Sequence, residues 1–143
     1  MAQYFNLYRI SSYLLVIFCL LHTFGGLLAN AGHGSGADMV WSLMKSVHFD
    51  IMGSSVTWGG MYLGFGLLFS VFLLFSAFVT WYLGGLDNKG RIAFFPITWA
   101  LFVSYFLVAV LSWAYFFVAP GVTATLIALL LGIIGIKTAR PRR

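Results

Sequence analysis

Apolar residues run almost unbroken through four stretches of the chain, Ile10–Leu28, Trp58–Leu83, Phe95–Val118 and Val122–Ile136. Crossing the hydrocarbon layer takes about 20 helical residues for roughly 30 Å, so each stretch predicts a membrane-spanning helix. The fourth is short, and Lys137 at its end is placed to reach out to the interface. Polar punctuation separates the runs. Gly84-Gly85-Leu86-Asp87-Asn88-Lys89-Gly90 reads as a turn-rich link. Pro96 falls in the first turn of the third helix, where its missing N–H is not needed. Pro120-Gly121 reads as a tight turn that makes spans three and four antiparallel neighbours. The pattern therefore predicts an all-α membrane four-helix bundle, up-down-up-down, in a single domain covering residues 1–143.

The longest polar interval, residues 30–57, has its own pattern. A flexible opening, Gly32-His33-Gly34-Ser35-Gly36, leads to Asp38, a suitable N-cap for a short helix from Met39 to about Val47. Val40, Leu43, Met44 and Val47 form an apolar stripe on that helix, with Asp38, Ser42 and Lys45 on the polar side. Such an amphipathic segment belongs on the bundle or in the headgroup region. His48 and Asp50 emerge where the chain turns into the second span.

Composition reinforces the membrane assignment. The chain is 62% hydrophobic and 8% charged, whereas soluble domains run near 45–50% apolar and about 25% charged. At 143 residues it is too small to bury that much apolar surface in water. The net charge of +5 does not make it a nucleic-acid binder: half of its eight basic residues, Lys137, Arg140, Arg142 and Arg143, form a tail just past an apolar run. That placement suits anionic headgroups, so the lipid bilayer is the expected partner. Arg9, Lys89 and Arg91 join that tail on one side of an even-numbered bundle, leaving only Lys45 on the other. By the positive-inside rule, both termini face the cytoplasm across an inner (plasma) membrane, and residues 30–57 face outward. Ala29-Asn30-Ala31 after the apolar Leu14–Leu21 has the form of a signal-peptidase site. The single Arg9 before it and the apolar run continuing to Leu28 favour a retained span.

The chemical inventory is small. Cys19 is the only cysteine, glutamate is absent, and Asp38, Asp50 and Asp87 are the only carboxylates. His22 is the one ionisable residue inside a predicted span, a costly position that often marks function. Three readings are open for it. It can be a structural imidazole bonded to a carbonyl, to Thr23, to Ser54 or to a water, holding span one to the outward loop. It can pair with His48 as an axial ligand of haem b. Or it can lie beneath His48 and Asp50 in an outward pocket that binds or converts a lipid, a quinone or another hydrophobic small molecule, with Asp50 orienting an imidazole. No spacing fits a protein-bound metal, a phosphate loop or a nucleophile elbow, which points away from an enzyme.

Small residues mark where helices approach closely in lipid. Gly25 and Gly26 in span one, Gly60, Gly64 and Gly66 in span two, and Gly132 and Gly135 in span four are the candidates. With so little polar chemistry, they favour a protein that associates, with copies of itself or with another membrane protein, as a subunit of a complex.

The stretches His22-Thr23-Phe24-Gly25-Gly26 and Phe49-Asp50-Ile51-Met52-Gly53-Ser54-Ser55, running into Tyr62-Leu63-Gly64-Phe65-Gly66-Leu67, resemble an uncharacterised family of small four-span bacterial membrane proteins. The resemblance covers spans one and two with their loop, about half the chain, and implies a fold without an assigned activity. It also implies an acidic residue shortly before the Tyr-Leu-Gly-Phe-Gly run, where this chain has Gly59 and Gly60. The likeness to four-span sterol isomerases is one of architecture alone, because their acidic residues within the spans are missing.

Overall fold

The computed structural model describes residues 2–29 and 32–139. Two sequence readings, the Ala29-Asn30-Ala31 pattern and the basic tail from Arg140 onward, fall partly or wholly outside the described residues. The chain is all-α with one small hairpin. Helix α1 (Ala2–Leu20) continues as a π-helical segment (Leu21–Leu27). There follow α2 (Ser35–Ser46), strands β1 (His48–Ile51) and β2 (Ser54–Thr57), α3 (Trp58–Gly85), α4 (Asn88–Ala93), α5 (Phe95–Tyr115) and α6 (Val118–Ala139). Four of these stretches, Leu7–Leu27, Trp58–Gly85, Phe95–Tyr115 and Val118–Ala139, are long and apolar enough to cross a membrane.

Several boundaries differ from the sequence reading, each for a local reason. The fourth span is a full 22 residues, because Pro120-Gly121 sits in the first turn of α6 and the chain turns at Phe116-Phe117 instead. Proline in a first turn loses no hydrogen bond, so the Pro-Gly pair begins the helix and does not interrupt it. Pro96 lies in the first turn of α5 as expected. Inside the Gly84–Gly90 link, Asp87 accepts the Gly90 N–H at 2.8 Å and starts the short α4. The loop helix begins at Ser35, ahead of the expected Met39, so Asp38 stands in its first turn rather than at its cap.

The hairpin is the element that the sequence reading lacks. His48 pairs with Thr57, Phe49 with Val56, Asp50 with Ser55 and Ile51 with Ser54, around a two-residue turn at Met52-Gly53. Both turn residues have positive φ, 49° and 83°, as the favoured two-residue hairpin turns require. Met52 has no glycine freedom there and its side chain is fully exposed.

The chain divides into two compact units. The first joins α1 as far as Cys19 to α3 from Leu73 onward, together with α4, α5 and α6. Within it α5 and α6 pack antiparallel: the Trp113 ring covers Gly121, Phe102 covers Gly132 and Trp99 covers Gly135. A Cβ at Gly132 would stand 3.0 Å from the Phe102 ring and one at Gly135 3.1 Å from the Trp99 ring, so these glycines set the helix separation. Helix α1 is tied in by polar contacts. The Ser12 hydroxyl donates to the Ala77 carbonyl at 2.8 Å, and the Tyr8 and Thr98 hydroxyls share a hydrogen bond of 2.8 Å. Leu15, Leu73, Tyr105, Ile127, Leu131 and Ile134 are fully buried among them. Thr80, also fully buried, donates back to the Ser76 carbonyl at 2.7 Å. Bonds of this kind matter in such an interior because lipid offers a polar group no partner.

The second unit, Leu20–Phe72, contains the π-helical segment, α2, the hairpin and the first half of α3. Its packing is lighter and more aromatic: Trp41 meets Tyr62 edge-on at 5.5 Å, and Phe49 lies 4.9 Å from Trp58.

Candidate functional site in the loop between α1 and α3

His22 sits near the start of the π-helical segment, where the backbone bonds run to the fifth residue; the Leu28 N–H reaches the Thr23 carbonyl at 2.9 Å. Such segments are rare and recur at functional positions. The half-buried His22 imidazole is held from two sides. Its Nε2–H donates to the Gly66 carbonyl at 3.1 Å, and its ring meets Phe69 edge-on at 5.1 Å. Beside it, Thr23 and Ser70 share a hydrogen bond of 2.8 Å, and the Ser70 hydroxyl also contacts the Gly66 carbonyl at 3.1 Å. This is a bonded imidazole tying one helix to the next, through Gly66 and not through Ser54.

His48 and Asp50 are placed differently. Both are exposed and lie on one face of β1, two residues apart. The His48 Nδ1–H donates to the Ser46 carbonyl at 3.0 Å. His48 pairs with Thr57 at the start of α3, while His22 binds Gly66, so their points of attachment to that helix lie nine residues apart, roughly 13 Å at 1.5 Å per residue.

A concave surface of this unit lies elsewhere in the same loop. A hollow of about 660 Å³ is lined by Leu27, His33, Asp38, Trp41, Lys45 and Tyr62, among others. Its shape follows from local chemistry. Asp38 Oδ1 accepts the His33 N–H at 3.1 Å, folding the glycine-rich opening back over the first turn of α2. A carboxylate is favourable there beside the helix N-terminus. Trp41 follows three residues after Asp38, and Lys45 four residues after Trp41, so all three share one helix face. The Lys45 ammonium lies 4.8 Å over the Trp41 ring. Met44 and Lys45 press on Gly59, where a Cβ would stand 3.1 Å from the Met44 carbonyl oxygen. The volume lies within the usual range of small-molecule sites, and the lining combines aromatic rings with one carboxylate and one ammonium.

The loop's ionisable groups were legible in sequence, but their grouping was not. Trp41 and Tyr62 were missed, although the Asp38–Trp41–Lys45 spacing marks a shared face. Among the described residues no group of three His, Cys, Asp or Glu side chains is arranged to hold a metal ion.

The predicted packing glycines divide into two sets. Gly66 receives the Leu27 side chain, and Gly132 and Gly135 receive aromatic rings. A Cβ at Gly64 or Gly25 would meet nothing within 4 Å, and Gly26 is nearly as open. Gly60 meets only the Thr57 hydroxyl, which accepts the Gly60 N–H at 3.0 Å and caps α3. Gly64 lies in a shallow apolar groove of about 500 Å³ formed with Met61, Phe65, Leu67, Leu68 and Val71. No family model, curated protein or solved structure matches this chain, so the resemblance to small four-span bacterial proteins rests on its quoted motifs alone.

Proposed function

We propose that this is a multi-pass protein of a bacterial plasma membrane that acts by association, holding a transmembrane helix of a partner subunit against the Gly64 face of α3. The observation that carries this reading is the contrast between glycines. Gly66, Gly132 and Gly135 each receive a side chain, whereas Gly64 is unfilled and lies in an apolar groove. The occupant at that depth must be apolar and satisfy its own backbone, and a helix does both. Small residues that admit a second backbone are the usual device for such contacts. The seven basic residues on one side of the bundle support an orientation with both termini in the cytoplasm.

The test is crosslinking in native membranes from a photoreactive residue placed at Gly64, with a second at Met61. The expected result is a discrete adduct of higher mass from both positions. An adduct at twice the chain mass would identify the partner as a second copy. Only uncrosslinked monomer and lipid adducts from both positions would remove the association reading.

The hollow around Trp41 favours a second reading, a pocket for a hydrophobic small molecule that carries a polar group. It keeps the location expected for such a pocket but moves its polar groups from His22, His48 and Asp50 to Asp38 and Lys45. A native mass spectrum of gently extracted protein should then show an excess of a few hundred daltons that Trp41→Ala and Asp38→Asn remove. The bare chain mass in the unsubstituted protein would end this reading.

A further inference from the structure

Asp38 and Lys45 stand about two turns apart on the face of α2 that lines the loop hollow, with Trp41 between them. Each is held in place. Asp38 Oδ1 accepts the His33 N–H at 3.1 Å, and Oδ2 lies 3.9 Å from where a Cβ of Gly32 would stand. The Lys45 stem lies against the start of α3, its Cγ 3.0 Å from where a Cβ of Gly59 would stand. Its ammonium turns back over the ring of Trp41, one turn closer to Asp38, at 4.8 Å. Both residues are exposed to the hollow, and among the described residues neither charge has an ion-pair partner.

Two opposite charges on one wall select a ligand by sign. A purely anionic ligand drawn to Lys45 meets the Asp38 carboxylate, and a purely cationic one meets the Lys45 ammonium. A zwitterion satisfies both. A primary ammonium can give the carboxylate charge-assisted N–H bonds, which a quaternary one cannot, and the Trp41 ring that would attract a quaternary ammonium already carries Lys45. The rest of the lining indicates what bears the headgroup. Leu27, Val40, Met44 and Tyr62 supply apolar surface. Leu27 closes the span Leu7–Leu27, and Tyr62 lies in the second turn of Trp58–Gly85, so the hollow stands at the ends of two spans, where headgroups lie. We infer that it takes the headgroup of phosphatidylethanolamine, with the ammonium on Asp38 and the phosphodiester at Lys45. This names the ligand class for the pocket reading above and rests on it.

The full chain, stripped of lipid in a non-ionic detergent, tests this by native mass spectrometry. Phosphatidylethanolamine, phosphatidylcholine and phosphatidylglycerol with the same acyl chains are titrated separately, as is free glycerophosphoethanolamine. The expected result is one saturable phosphatidylethanolamine per chain, at concentrations where the other three bind little. Asp38→Asn should weaken that binding about tenfold or more, the scale of losing a hydrogen bond to a charged group, and should strengthen phosphatidylglycerol binding, because the repelling carboxylate is gone. Lys45→Gln should weaken both lipids, Lys45→Arg should keep them, and Lys89→Gln, in the other unit, should change neither. Equal binding of phosphatidylcholine, or full phosphatidylethanolamine affinity in both Asp38→Asn and Lys45→Gln, would overturn the proposal. Saturation by glycerophosphoethanolamine at similar concentrations would overturn the lipid assignment and identify a site for the free headgroup. An excess mass on protein from native membranes that Trp41→Ala removes, together with indifference to phosphatidylethanolamine, would overturn the headgroup and leave the pocket standing. The bare chain mass there would end both. None of these outcomes depends on the Gly64 face.

Discussion

Replacing Tyr105 with alanine is expected to cause the largest loss of stability of any single truncation in this chain. Tyr105 is fully buried on α5. Truncating a buried aromatic costs about 3–5 kcal/mol in soluble cores. Lipid is as apolar as the interior, so the transfer part of that cost is absent here and lost packing remains. The expected loss is therefore about 2–4 kcal/mol, read as a lower denaturant midpoint in mixed micelles. Tyr105→Phe keeps the ring and removes only the hydroxyl, so it should retain most of that stability. A phenylalanine variant as unstable as the alanine variant would show that the hydroxyl, not the ring, holds α5 in place.

Gly121→Leu is expected to be nearly as damaging by the opposite mechanism. A Cβ at position 121 would stand 2.8 Å from Cδ2 and Cε2 of Trp113, too close for either helix to keep its place. The indole is not free to swing aside without loss, because its Nε1–H donates to Thr125 Oγ1 at 3.1 Å. Overpacking of this kind costs about 1–3 kcal/mol and should open the α5–α6 turn region. Adding Trp113→Ala removes the obstructing ring, so the double variant should recover part of the loss. Fluorescence-monitored unfolding of the single and double variants checks this. A double variant no more stable than Gly121→Leu alone would place the damage in the helix backbone.

The four spans were legible in sequence because membrane crossing demands a long apolar run whatever the tertiary contacts. Their ends were less so. Pro120-Gly121 fits both a turn and a helical first turn, and the choice depends on the Trp113 ring that needs Gly121 beneath it. The hairpin escaped notice because its turn is Met52-Gly53, whereas Asn-Gly or Asp-Gly is the strong sequence signal for such a turn. The loop's chemistry was found by residue type, but its partners were not. His22 reaches a backbone carbonyl on α3, and no side-chain pattern announces a carbonyl. Tyr62 joins the hollow only because α2 folds back onto the start of α3. Lys45 reads as a lone outward cation, and its position over Trp41 becomes evident only once α2 is known to start at Ser35.

The π-helical segment Leu21–Leu27 changes what an insertion or deletion would mean in this part of the chain. His22 and Leu27 are five residues apart and both meet Gly66, although five residues of α-helix would turn them about 140° away from each other. The wider coil absorbs one extra residue and brings the two onto one line. A lineage that lost a single residue between them would regain ordinary α-helix there and keep the imidazole's anchor. Loss of a second residue would find no wide turn to absorb it, and would rotate everything downstream, including the approach to the loop hollow, through about 100°. Length at this point is thus as much a determinant of the loop's geometry as any side chain in it.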